Sequence, residues 1–141
     1  MRVVAIVQAR VGSKRLPKKV LKPIVGRPMI ELLLLRLSKS KELNDIIVAA
    51  SEEDKNKKLH LTVEALGFQC FRGSEKNVLK RFYDSAKSLN ADIVVRITAD
   101  CPLVDPKLVD ECILRFRKLK ADYLSNINPP TYPDGLDVEV M

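Results

Sequence analysis

Residues 3–7 read Val-Val-Ala-Ile-Val, and this apolar, mostly β-branched run decides how the rest of the chain is interpreted. A continuous run of this kind is typical of a strand covered on both faces, as in a parallel sheet. Residues 46–50 and 93–97 predict two more such strands, and residues 68–71 a shorter one. Residues 136–140 alternate apolar and acidic side chains, which predicts a half-buried last strand.

Helical patterns lie between the predicted strands. Pro28 is expected to open the first helix, and Ser51, Asn77 and Asp105 to cap the next three. Gly67 is a natural end for the second. The residues expected to point inward from the third helix are Leu79, Phe82, Tyr83, Ala86 and Leu89. Alternation of strand and helix predicts an α/β fold with a mainly parallel sheet.

The composition is that of a globular protein. The chain has 141 residues, of which 46% are hydrophobic and 30% charged, so disorder, a collagen-like fibre and a small disulfide scaffold are excluded. The formal net charge is +7, yet residues 1–30 hold eight basic and no acidic side chains. Because the excess is confined to one segment, it favours a local anion site over a nucleic-acid-binding surface, with a basic arm as the alternative.

Cysteine and hydropathy patterns limit the classes of protein that remain possible. Cys70, Cys101 and Cys112 show no C-x-x-C spacing, and with His60 as the single histidine they predict reduced thiols and no zinc site. The apolar runs are too short for a signal peptide or a membrane span. We therefore expect a soluble, cytoplasmic protein without membrane insertion and without a nucleic-acid partner.

The loop after the first strand is the strongest candidate for a ligand site. Residues 8–19 contain a glycine, a hydroxyl and five cationic side chains, the mixture that phosphates prefer. Neither a P-loop nor a G-x-G-x-x-G motif is present, so a P-loop NTPase is excluded and a dinucleotide-binding domain loses its main support. A solvated surface loop is the alternative.

Three carboxylates are candidate metal ligands. Asp100 follows the fourth predicted strand, where ligands of open parallel sheets bind. Asp137 and Glu139 are two residues apart in a strand and so share a face. Carboxylates with phosphate oxygens suit Mg²⁺. The alternatives are a turn-capping role for Asp100 and an ordinary alternating surface strand for the other two.

Five ordered segments together resemble a known family. They are residues 7–19, 26–30, 71–74 (Phe-Arg-Gly-Ser), 95–103 (Val-Arg-Ile-Thr-Ala-Asp-Cys-Pro-Leu) and 132–140 (Tyr-Pro-Asp-Gly-Leu-Asp-Val-Glu-Val). They resemble the acylneuraminate and 3-deoxy-manno-octulosonate cytidylyltransferases, above all the branch of the spore coat polysaccharide biosynthesis protein F.

The resemblance implies a fold, a reaction and partners. The fold is a Rossmann-like three-layer sandwich of the nucleotide-diphospho-sugar transferase type, with helices on both faces of the sheet. Residues 1–141 would form a single nucleotidyltransferase-like domain, shorter at its C-terminus than its family. The activity is Mg²⁺-dependent transfer of CMP from CTP to an acidic or amino sugar for surface polysaccharide, with release of pyrophosphate. Members are usually dimers, which implies a homodimer.

The resemblance also implies residue roles. Arg10, Lys19 and Asp100 would be catalytic, and Asp100, Asp137 and Glu139 would hold Mg²⁺. The nucleotide-binding residues would be Ala9, Arg10, Gly12, Ser13, Lys14, Arg15, Lys19, Arg72 and Thr98. Val20 departs from the family, whose sialic-acid and related synthetases have an asparagine there that contacts the nucleotide. The alternatives are a glycosyltransferase of similar fold that uses a nucleotide-sugar donor, and a non-catalytic nucleotide- or anion-binding domain.

Overall fold

The computed structural model describes residues 1–12, 15–16 and 18–141. Its strands are β1 (Val3–Gln8), β2 (Pro23–Ile24), β3 (Arg27–Pro28), β4 (Asp45–Ser51), β5 (Gln69–Gly73), β6 (Ile93–Thr98), β7 (Leu124–Ser125) and β8 (Glu139–Val140). Its α-helices are α1 (Met29–Leu37), α2 (Lys57–Ala65), α3 (Val78–Ser88) and α4 (Pro106–Leu119). No helix in this described part is long and apolar enough to cross a membrane.

Six strands form one sheet in the order β5-β4-β1-β6-β8-β7. The strands β5, β4, β1 and β6 are parallel neighbours, whereas β8 runs antiparallel to both β6 and β7. The two remaining strands, β2 and β3, form a separate antiparallel hairpin. The α/β fold with a mainly parallel sheet is therefore confirmed.

Helices cover both faces of the sheet, as expected. On one face, Val3, Ala5 and Val7 of β1 pack with residues of α1, α2 and α4. On the other, Val4 and Ile6 pack with residues of α3. These five side chains of β1 are fully buried, which explains why the run at 3–7 carries no polar residue. The result is the expected three-layer arrangement.

The inward face of α3 differs from the prediction in part. Phe82, Ala86 and Leu89 do pack against the sheet. Leu79 and Tyr83, however, are 81% and 62% exposed, and Arg81 is buried instead. The Arg81 Nη1 donates to the carbonyl oxygen of Ser74 at 2.6 Å. This bond gives the guanidinium one partner, although its buried Nε has none in the described part of the chain, and the long hydrocarbon stem takes the place expected for an apolar side chain.

Two predicted caps are confirmed and one is wrong. Asn77 and Asp105 each accept a 2.9 Å hydrogen bond from a backbone N–H in the first turn of their helices. Ser51 instead ends β4, and α2 begins only after a 3₁₀ turn over Asp54–Asn56. Gly67 lies just beyond α2 with φ at +85°, where glycine is favoured.

The strand boundaries also shift. The strand predicted at residues 68–71 is β5, which spans Gln69–Gly73 and so lies somewhat later than predicted. The last strand is shorter than the alternating pattern, since only Glu139–Val140 pair with neighbours. Its pattern is nevertheless kept, because Val138 and Val140 are fully buried.

Candidate active site

A cavity of about 350 Å³ lies where β1 and β6 end side by side. The carboxyl ends of parallel strands are the expected place for a ligand in an open sheet. Its lining consists of Gln8, Arg10, Lys19, Val20, Arg96, Thr98, Ala99 and Asp100. The structure thus brings together all three residues assigned a catalytic role from the sequence: Arg10 and Lys19 from the segment after β1, and Asp100 from the loop after β6.

Cations outnumber carboxylates in the lining. Arg10, Lys19 and Arg96 face the single carboxylate of Asp100. The Lys19 Nζ lies 3.7 Å from Asp100 Oδ2, and both side chains are partly exposed. An exposed pair of this kind contributes little to stability, so a ligand can replace it at small cost. The arrangement suits a polyanion that carries a cation with it.

The loop that follows β1 is held by a buried amide side chain, that of Asn56. The backbone N–H of Val11 donates to Asn56 Oδ1 at 2.9 Å, and Asn56 Nδ2 donates to the Ser51 hydroxyl at 2.5 Å. The Asn56 side chain is fully buried. Lys18 then returns the chain by donating its N–H to the carbonyl of Val11 at 3.0 Å. Asn56 was missed by sequence reasoning, because no motif marks it.

The remaining loop residues assigned to the nucleotide are placed differently. Ala9 is buried, and its N–H donates to the carbonyl of Ala49 at 3.3 Å. Gly12 and Arg15 are exposed and lie outside the cavity lining. Two more, Ser13 and Lys14, lie outside the described residues.

The side chain of Lys55 lies beside Gly12. A Cβ on Gly12 would lie 3.4 Å from Lys55 Nζ. The same Nζ pairs with the carboxylate of Glu53 and lies 3.8 Å from Glu75 Oε1. Lys55 is therefore a cation beside the loop after β1, and it is not among the residues that the sequence assigned to the nucleotide.

The two other residues assigned to the nucleotide, Thr98 and Arg72, differ in their position relative to the cavity. Thr98 lines the cavity, and its Oγ1 lies 3.4 Å from Cys101 Sγ. Arg72 does not line it. Its Nη2 donates to the carbonyl oxygens of Glu52 and Glu53 at 2.6 and 3.3 Å. Arg72 therefore supports the turn after β4.

The carboxylates near the cavity repel one another, and they are not equally suited to binding a metal ion. Burial raises the pKa of Asp137, and the carboxylates of Asp134, Asp100 and Glu139 raise it further. Such mutual repulsion suits a cation near Asp100 and Asp137, whose oxygens are ligands that Mg²⁺ prefers.

Glu139 fits a metal less well than the other two carboxylates. One of its oxygens pairs with Arg96, and the other accepts from the Tyr123 hydroxyl at 2.6 Å. Over residues 1–12, 15–16 and 18–141, no three His, Cys, Asp or Glu side chains are grouped to hold a metal ion. The clamp of Asp100, Asp137 and Glu139 is thus not assembled among these residues.

A second cavity of about 310 Å³ adjoins the first at Asp100. It lies between residues 100–103 and residues 133–136. Leu103, Pro133 and Leu136 give it a mainly apolar wall, with Asp134 beside them. The two cavities share the carboxylate of Asp100.

Comparison with known proteins agrees with this geometry. The profile of a family described as cytidylyltransferase matches residues 4–133. An uncharacterised protein of Methanocaldococcus jannaschii is 44% identical over 91% of the chain and 53% of its own length. The spore coat polysaccharide biosynthesis protein SpsF of Bacillus subtilis is 34% identical over 91% of the chain and 55% of its own. The chain thus spans about half the length of these relatives.

Solved structures show the same fold. A cytidylyltransferase from Leptospira borgpetersenii superposes with a TM-score of 0.95 at 35% identity, over 100% of the chain and 60% of that protein. A CMP:2-keto-3-deoxy-manno-octonic acid synthetase in complex with CTP has a TM-score of 0.75 at 27% identity, over 86% of the chain and 49% of that protein.

Proposed function

Because the chain belongs to the cytidylyltransferase family, we propose that it transfers CMP from CTP to an acidic or amino sugar and releases pyrophosphate. The observation that carries this proposal is the convergence of Arg10, Lys19 and Asp100 on one cavity at the ends of β1 and β6. Support also comes from a structural relative that was solved with CTP and from a relative named for polysaccharide biosynthesis.

The proposed reaction is an in-line displacement at phosphorus. A hydroxyl oxygen of the sugar attacks the α-phosphorus of CTP and loses its proton to solvent, a new phosphorus–oxygen bond forms, and the bond to pyrophosphate breaks. Negative charge therefore grows on the leaving group. Arg10 and Lys19 stabilise that charge, since preorganised cations act most strongly where charge develops.

Two other groups orient the reactants. Thr98 and Ala99 line the same cavity as the loop cations and Asp100. Asp100 and Asp137 would hold Mg²⁺, which when bound supplies polarisation of the phosphate oxygens. The second cavity shares Asp100 with the first, so a sugar bound there would bring its attacking oxygen to the nucleotide beside this carboxylate. This reaction would take place in the cytoplasm.

Val20 bears on the choice of base. Its side chain is 4% exposed and lines the cavity, so it offers an apolar contact and no hydrogen bond. Selection of cytosine over other bases then depends on groups other than this side chain. Calorimetric binding of CTP, UTP, ATP and a UDP-sugar compares the nucleotides directly.

The proposal is tested by pyrophosphate release. The chain is incubated with CTP, Mg²⁺ and a panel of acidic and amino sugars, and pyrophosphate is followed by a coupled assay. Release that depends on one of the sugars is expected. Preference for a UDP-sugar over CTP in calorimetry would favour the glycosyltransferase instead. Failure of CTP to bind at all, with or without Mg²⁺, would overturn the proposal.

A further inference from the structure

A row of three polar side chains crosses the sheet beside the cavity. Arg96 of β6 and Glu139 of β8 are directly paired residues, and Arg96 Nη1 donates to Glu139 Oε2. The hydroxyl of Tyr123, just before β7, donates to Glu139 Oε1 at 2.6 Å. Both carboxylate oxygens of Glu139 are therefore used in fixing its neighbours.

Arg96 is further held from two other sides. Its Nη2 lies 3.3 Å from Gln8 Oε1, and its guanidinium carbon lies 5.9 Å from the ring centroid of Phe82. A planar guanidinium carries five N–H donors, so these contacts orient the group and leave donors over. The side chain is 36% exposed and lines the 350 Å³ cavity. A fixed cation with spare donors at a ligand cavity is suited to an oxyanion.

We propose that Arg96 binds an oxyanion of the substrate and that Glu139 and Tyr123 are the residues that position the Arg96 guanidinium. In this role Glu139 is not a metal ligand. The oxyanion is a phosphate of the nucleotide or the carboxylate of the sugar. This inference rests on the proposed function, which supplies both substrates. The chemistry is the same for either, because a guanidinium forms paired N–H···O bonds with phosphate and carboxylate alike.

A purely structural pair would behave differently. If Arg96 only joined β6 to β8, its replacement would lower the free energy of unfolding and leave binding unchanged. If it binds substrate, affinity falls even where folding is intact. The experiment therefore measures the dissociation constant and the stability of the same variants.

The variants are Arg96→Met, Glu139→Gln and Tyr123→Phe, which keep side-chain size. Arg117→Met is the matched control, since Arg117 Nη1 pairs with Glu42 Oε2 at 2.6 Å with similar exposure and lies outside the cavity lining. The probes for calorimetry are inorganic tripolyphosphate, CTP and 3-deoxy-manno-octulosonate. Urea unfolding reports stability.

The expected result is a loss of affinity that is largest for the Arg96 variant and smaller for the Glu139 and Tyr123 variants. Arg96→Met weakens binding of at least one probe by about tenfold or more, as for hydrogen bonds to a charged group. Loss with tripolyphosphate and CTP identifies a phosphate as the oxyanion, and loss with the sugar acid alone identifies its carboxylate. Glu139→Gln and Tyr123→Phe give smaller losses for the same probe, and Arg117→Met gives none.

Two measurements separate positioning from metal binding at Glu139. The Mg²⁺ concentration that half-saturates CTP binding is expected to be the same in Glu139→Gln as in the parent chain. The double variant Arg96→Met/Glu139→Gln is expected to bind no more weakly than Arg96→Met, because Glu139 acts through Arg96. A large rise in the Mg²⁺ requirement of Glu139→Gln would make it a metal ligand and overturn the positioning role.

Failure of this inference is distinct from failure of the proposed function. If the parent chain binds CTP and Arg96→Met binds all three probes equally well, the role of Arg96 is overturned and the proposed function stands. If the parent chain binds tripolyphosphate through Arg96 but does not bind CTP, the role of Arg96 stands and the cytidylyltransferase activity is overturned.

Discussion

Asn56 holds the backbone of Val11 through a buried 2.9 Å hydrogen bond, and so ties the loop after β1 to the turn that follows β4. The loop carries Arg10 into the cavity and then returns to Lys19. The position of both cations therefore depends on one amide side chain that does not line the cavity.

Replacement of Asn56 by Ala should lower both stability and affinity. A buried N–H left without an acceptor costs about 1–3 kcal/mol, and the loop gains freedom that CTP binding must then remove. Urea unfolding and CTP calorimetry measure the two effects. Asn44→Ala is the matched control, because Asn44 Oδ1 accepts from the N–H of Val3 at 2.7 Å, at the other end of β1. The control should lose stability alone, and equal loss of CTP affinity in both variants would contradict the role of Asn56.

Asp100→Asn should abolish the Mg²⁺-dependent part of CTP binding. An amide is neutral and offers one oxygen, so it is a poor ligand for a hard cation. Calorimetry in Mg²⁺ and in EDTA separates this effect from direct contacts. Asp122→Asn, at an exposed position outside the cavity lining, is the control. If Asp100→Asn binds CTP with undiminished Mg²⁺ dependence, Asp100 does not hold the metal.

Lys19→Met should weaken CTP binding by about tenfold, the order of one hydrogen bond to a charged group. The dependence of the dissociation constant on salt should become shallower, since one cation fewer meets the phosphates. Lys22→Met is the comparison, because Lys22 is exposed nearby and does not line the cavity. An equal effect of the two substitutions would indicate a diffuse basic surface, as an anion-binding domain requires.

Cys70 should resist alkylation in the folded protein. Burial raises the pKa of its thiol to about 12, with a further contribution from the carboxylate of Glu64. Little thiolate is then present at pH 8, and the thiolate is the reactive form. Iodoacetamide labelling followed by mass spectrometry should show slow modification of Cys70 in buffer and rapid modification in urea. Equal rates in both conditions would contradict the shift.

The same shift has a consequence for stability. Because the folded-state pKa of Cys70 lies above its ordinary value of 9.0, the folded protein binds the proton more tightly than the unfolded chain does. Its contribution is complete below pH 9 and is lost as pH rises from there towards 12. Cys70→Ser should flatten the decline of unfolding free energy in this range.

The sequence predicted the centre of the sheet because burial there is extreme. A strand buried on both faces excludes polar side chains, so β1 and β4 were visible as apolar runs. Capping by Asn77 and Asp105 was equally visible, since a cap is a local interaction between a side chain and the next turn. The cavity at the ends of β1 and β6 followed from the rule for parallel sheets.

What the sequence could not predict depends on distant contacts. The buried position of Arg81 requires the carbonyl of Ser74, which the helical pattern of α3 does not contain. Asn56 is one polar residue in a polar turn until the fold brings Val11 to it. Arg96 did leave a signal, since it is a charged side chain inside an otherwise apolar strand, and that exception marked a residue of the cavity.

The pairing of β8 with β6 links ligand binding to local unfolding of this part of the sheet. It is joined to β6 by the residue pairs Val95–Val140 and Arg96–Glu139, and the reciprocal backbone hydrogen bonds of Val94 and Met141 extend this contact. Opening of this edge would release the guanidinium of Arg96 without disturbing β1 or β4. If closure of the edge strengthens the binding of a ligand to Arg96, then the bound ligand stabilises the closed edge by the same free energy. Amide hydrogen exchange at Met141 should therefore slow as the cavity is filled, even though this residue does not line the cavity.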